Sequence, residues 1–74
     1  MNDARLIKTI PMRRLRLLSG DGSKPPAVGD LGETDQWWTA VGGQMVLVYF
    51  VSADGKTRWE AQAYESEIEE VEGA

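Results

Sequence analysis

The sequence predicts a small all-β domain built on a strongly bent antiparallel sheet, and three observations carry that prediction. The stretch from Gln44 to Trp59 reads as two β-branched and aromatic runs joined through Asp54-Gly55. An Asp-Gly pair between such runs is a strong hairpin signal, because glycine adopts φ > 0 at little steric cost. Val28-Gly29-Asp30-Leu31-Gly32 sets two glycines around one leucine just ahead of another extended run, the composition of a tight corner. Finally, residues 45–51 are apolar on both alternating faces, with Val46, Val48 and Phe50 on one and Met45, Leu47, Tyr49 and Val51 on the other. A strand apolar on both sides is central in a curled sheet or covers a partner.

Length sets the scale of what can be buried. The chain has 74 residues and no cysteine, so it holds one domain with a small core and no disulfide to reinforce it. The lack of cysteine fits a reducing compartment. No apolar run approaches the roughly 20 residues that span a bilayer. The first residues show neither the continuous hydrophobic region nor the small-residue cleavage site of a secretory signal. A cytoplasmic location, with no membrane association, is the expectation.

Taken in order, residues 1–11 read as an N-terminal arm. Leu6, Ile7 and Ile10 fit one helical turn ended by Pro11, or a loose arm, or a short edge strand. From Met12 to Leu18 the pattern alternates, with Leu15 and Leu17 on one side and Arg14, Arg16 and Leu18 on the other, as in a half-buried strand. Residues 19–26 hold turn formers and two prolines and form a loop. At the corner, Leu31 is expected to plug the core. Residues 33–41 form a second strand, anchored by Trp37 and Trp38, and Gly42-Gly43 turns the chain into the hairpin. On the return strand Trp59, Ala61 and Ala63 alternate with Arg58, Glu60 and Gln62. Tyr64, Ile68 and Val71 have helical spacing, which predicts a single helical or 3₁₀ turn running into a short last strand.

Charge is divided along the chain. The first 24 residues carry a local balance of +4 and the remainder −8, within a total of −4. Such a division marks a basic arm for nucleic acid and an acidic patch for a protein. Alternatively, the basic first strand and the acidic end meet in the fold and neutralise each other.

The residues that could carry chemistry are few. With no histidine and no cysteine, the chain lacks the commonest general base, the commonest transition-metal ligands and the most reactive nucleophile. Gly55-Lys56-Thr57 resembles the end of a phosphate-binding loop, but the glycine such a loop needs upstream falls at Phe50, and the context is strand–turn–strand. The carboxylates at 65, 67, 69, 70 and 72 lack the spacing of a calcium loop. No catalytic residue, metal or cofactor is therefore expected. Trp37, Trp38, Trp59, Tyr49 and Tyr64 are a dense aromatic set for this length. Neighbouring residues of a strand point to opposite faces, so only one of Trp37 and Trp38 can enter the core. The other packs under a loop or the arm, or stands exposed as a binding anchor.

The order of a basic strand (Arg13–Leu18), a long loop, Gly29-Asp30-Leu31-Gly32, a strand, the alternating Val46, Val48 and Phe50, a turn, a further strand and a carboxylate-rich ending resembles an SH3-like small barrel. Over residues 12–72 it is similar to short bacterial SH3-like domains. More distantly, it resembles the photosystem I reaction-centre subunit IV and the variable chain of ferredoxin–thioredoxin reductase. The resemblance implies a five-stranded barrel and no catalytic residues. It implies no particular role, because barrels of this kind host many. Where such relatives place a β-branched apolar pair after the second corner glycine, this chain has Glu33-Thr34-Asp35-Gln36, so the second strand is frayed, bulged or recruited for a purpose.

The function expected is a non-enzymatic protein-interaction or regulatory module that contacts an unidentified protein, or weakly a second copy, through Leu47, Tyr49 and one of Trp37 and Trp38. The alternative is a nucleic-acid-binding small barrel, in which Arg13, Arg14 and Arg16 meet phosphates and the outer aromatics stack on bases. An acidic total charge weighs against it.

Overall fold

The computed structural model describes residues 2–71. They form six antiparallel strands: β1 (Asp3–Leu6), β2 (Leu15–Ser19), β3 (Leu31–Ala40), β4 (Gly43–Val51), β5 (Arg58–Tyr64) and β6 (Ile68–Val71). The strands make one open sheet in the order β2-β5-β4-β3-β1-β6. Two 3₁₀ turns, Met12–Arg14 and Glu65–Glu67, lead directly into β2 and β6. No helix among the described residues is long and apolar enough to cross a membrane.

The long central strand β4 behaves as its alternation predicts. Val46, Val48 and Phe50 are buried, and with Ala4, Leu6, Ile10, Trp59, Ala61, Ala63 and Ile68 they form the core, against which Leu15 packs. The alanines on β5 lie directly across from β4 valines, Val46 beside Ala63 and Val48 beside Ala61. Small side chains there let the sheet curl tightly over a core of few residues. Trp59 closes one end, its indole N–H donating to the Lys24 carbonyl at 3.1 Å, so the 20–30 loop is pinned through a buried polar atom that would otherwise be costly.

The hairpin between β4 and β5 turns through residues 52–57. Ser52 N–H donates to the Thr57 carbonyl and Gly55 N–H to the Ser52 carbonyl, each at 2.9 Å, with Gly55 at φ +75°. The Asp54 carboxylate accepts from the Ser52 hydroxyl and from Lys56 N–H. These bonds hold its pKa below the ordinary value. The 3₁₀ turn expected near residue 64 forms at Glu65–Glu67, and the irregularity expected after Gly32 is a bulge in β3 between Thr34 and Trp37.

Four expectations are corrected. Within the segment read as an arm, Asp3–Leu6 is an inner strand rather than a helical turn, a loose arm or an edge strand: β1 lies between β3 and β6, and Leu6 and Ile10 are buried in the core. The short β1 pattern has only two inward residues, Ala4 and Leu6, too few for alternation to reveal a strand. With β1 included the sheet has six strands, not five, and it is open rather than closed. Leu31 does not plug the core but is 54% exposed. The register sets Gly32 opposite Phe50, so Gly32 faces inward and Leu31 outward. Leu17 lies opposite Trp59 but remains exposed, because β2 is the edge strand and nothing continues the layer beyond it.

Candidate functional site

Facing residues in an antiparallel ladder share a side of the sheet, so the register assigns the outer face directly. Tyr49 lies opposite Glu33 on β3 and Glu60 on β5. Leu47 faces Gln62 and meets the β3 bulge on its other side. Met45 lies between Trp38 and Tyr64 in the ladder, and it is buried without belonging to the core cluster. Leu47, Tyr49 and Trp38 are half-buried. The outer face of β4 therefore carries a row of apolar and aromatic side chains, bordered on β5 by Arg58, Glu60 and Gln62 and on β3 by Glu33 and Trp38. Leu31 and Val51, 54% and 49% exposed, extend it toward the hairpin end.

The two tryptophans separate as alternation requires, but neither joins the core cluster. Trp38 pairs with Met45 on the outer face. Trp37 pairs with Val46 on the opposite side and stays partly exposed at its rim. Of the four expected binding residues, the structure thus groups Trp38, Leu47 and Tyr49 and sets Trp37 apart. The β3 bulge is responsible, since its extra residue inverts the phase of everything after Asp35.

The arginines expected to contact phosphates, Arg13, Arg14 and Arg16, border one open cleft with Glu60 and Gln62, but they are engaged differently. Arg14 is held in a bidentate ion pair with Glu67, at 2.7 and 2.8 Å, and also donates to the Gln62 carbonyl at 2.9 Å. Its guanidinium lies over the Tyr64 ring, 5.0 Å from the centroid. Hydrogen bonding to Arg14 is the main reason the Glu67 carboxyl sits below its ordinary pKa, with the Tyr64 N–H bond adding to it. Arg16 stands across the ladder from Glu60, and Arg13 is exposed. The basic and acidic ends of the chain meet here, and Arg14 is taken up by that meeting.

What the residue pattern alone did not single out is the set of carboxylates around Tyr49. Glu33 and Glu60 are its ladder neighbours. Partial burial, then the charges of Glu60 and Asp35, raise the pKa of its hydroxyl. The signal was available in the alternation, since Glu33 and Asp35 share a phase. Fixing that phase relative to Tyr49 required the register.

An open groove of about 440 Å³ runs between the 24–31 loop and the β4–β5 hairpin, lined in part by Lys24, Asp30, Phe50 and Trp59. Its Asp30 carboxylate is already occupied, accepting from Ala27 N–H at 2.9 Å. Among the described residues no three carboxylates are arranged to hold a metal ion. Comparison with protein-family models, with curated proteins and with solved structures finds no match for the chain.

Proposed function

We propose that this chain is a non-enzymatic protein-interaction module on an SH3-like small-barrel plan, working as a subunit or regulator of a larger assembly. The observation that carries the reading is the outer face of β4 and its neighbours, where Trp38, Leu47 and Tyr49 stand half-buried beside exposed Leu31 and Val51. Apolar side chains gathered on one face of a small domain are the usual mark of a partner surface, and aromatics supply most of the contact energy at such surfaces. The small-barrel plan is supported by the β3–β4–β5 meander, by the 3₁₀ turn entering β6, and by the bend that brings Arg14, before β2, onto Glu67, before β6. The sheet itself remains open along those two edges.

The nucleic-acid reading is the weaker of the two, because Arg14 is committed to Glu67, leaving Arg13 and Arg16, and because the carboxylates bordering Tyr49 repel phosphate. Replacing Tyr49 with a photoreactive phenylalanine analogue separates the two. An interaction module crosslinks to a discrete protein, and Leu47→Ala weakens that crosslink without lowering the unfolding temperature. A nucleic-acid binder instead retains a single-stranded oligonucleotide with an affinity that falls steeply with salt, and loses it on Arg13→Ala/Arg16→Ala.

A further inference from the structure

The outer face has a charge pattern that identifies its partner's chemistry. Glu33 and Glu60 border Tyr49 on the two flanking strands, and Asp35 lies close enough to act on its hydroxyl. Among the described residues the only ion pair is Arg14–Glu67. Arg16, across the ladder from Glu60, closes none. The centre of the apolar row is therefore an aromatic ring among three carboxylates without an ion-pair partner, with Arg58 beside Val51 at the hairpin end of the same face.

We propose that this face docks a protein segment carrying an arginine or lysine between apolar side chains, with the cation over Tyr49 among Glu33, Asp35 and Glu60 and the apolar neighbours on Leu47 and Trp38. The inference rests on the interaction reading and adds the chemistry of the partner. A cation over a tyrosine face is attracted by the ring quadrupole, and the carboxylates strengthen that attraction. The same pattern disfavours the other occupants. A second copy related by a two-fold axis passing near Tyr49 would bring Glu33, Glu60 and their copies together, since residues near such an axis face themselves. A phosphate backbone meets the same repulsion.

The test uses the full chain, ¹⁵N-labelled, and two pools of synthetic decapeptides with apolar flanks, one with a fixed central arginine and the other with a fixed central glutamate. The arginine pool is expected to shift the amide signals of Glu33, Leu47 and Tyr49 and the Trp38 indole, with affinity that weakens as salt rises. Glu33→Gln combined with Glu60→Gln should weaken binding about tenfold or more, and Tyr49→Ala should weaken it as well. If the glutamate pool binds this face equally or better, the cationic partner is overturned while the interaction reading stands. Outer-face shifts that depend on protein concentration without peptide would assign the face to a second copy and also overturn the inference. Absence of binding at millimolar peptide, or shifts confined to Arg13, Arg16 and the 20–30 loop, would overturn both.

Discussion

Gly29 and Gly32 sit three residues apart and resist a side chain for different reasons. At Gly29 the backbone is at φ +98° and the space around it is open, so a substitution there suffers conformational strain of about 1–3 kcal/mol and nothing else. At Gly32 the obstacle is packing. A Cβ would stand 2.6 Å from Val48 Cγ1 and 2.9 Å from both Phe50 Cε1 and the Tyr49 carbonyl oxygen. One of those neighbours is backbone and cannot move aside cheaply. Gly32→Ala is therefore expected to lower the urea midpoint at least as much as Gly29→Ala, and Gly32→Val to lower it much further than Gly29→Val. Equal, small effects at both sites would contradict the close approach of β3 to β4. Phe50, 5% exposed at the centre of the core, is the other decisive residue. Phe50→Ala should cost about 3–5 kcal/mol, enough to leave most of so small a domain unfolded at room temperature by circular dichroism.

Two short elements, the 3₁₀ turns before β2 and β6, hold the ends of the sheet together. Their link is the Arg14–Glu67 pair, whose side chains are only 17% and 12% exposed. The pair is reinforced because Glu67 also accepts from Tyr64 N–H at 2.7 Å. A charged hydrogen-bonded contact of this kind is worth about 2 kcal/mol, and removing one partner leaves the other charge poorly solvated. Arg14→Lys should recover only part of an Arg14→Ala loss, since lysine cannot make the two parallel bonds. The pH dependence follows from the depressed Glu67 pKa. Its contribution is complete above the ordinary glutamate value of about 4.3 and is lost as pH falls through the lower folded value. Urea titrations at neutral pH and near pH 3 should show a smaller acid loss in Glu67→Gln than in the parent chain. An unchanged acid loss would remove the pair from any stabilising role.

For the molecule as a whole, the N-terminal segment decides whether the sheet closes over its core. β1 pairs with both β3 and β6. Asn2 is tied to the buried Thr34, whose hydroxyl donates to the Asn2 carbonyl at 3.0 Å while its backbone N–H donates to the same carbonyl at 2.8 Å. Deleting residues 1–11 removes Ala4, Leu6 and Ile10 from the core and strips β6 of its only ladder neighbour. The truncated chain should lose cooperative thermal unfolding and aggregate. A truncated chain that melts like the full one would mean that β1 contributes nothing to the fold. The two free edges are protected by different means. β6 carries Glu69 and Glu70, and β2 carries Arg16 and a register shift between Leu17 and Ser19, devices that discourage edge-to-edge pairing.

The sequence by itself determined the class, the inward set Val46, Val48 and Phe50, the hairpin about Gly55 and the turn before the last strand. Each of these depends on alternation or turn chemistry within a few residues. Tertiary structure decided the rest, and each case involves a partner distant in the chain. Leu31 looked like a core residue because it is apolar, but the register with β4 turned it outward and put Gly32 in its place. Asp3–Leu6 is too short to show a period and becomes a strand only because β3 and β6 lie on either side. Trp37 and Trp38 were assigned their faces by one extra residue in the β3 bulge. The candidate site depends on the same kind of information, since Tyr49 was visible from its own strand while Glu33 and Glu60 come from the strands on either side.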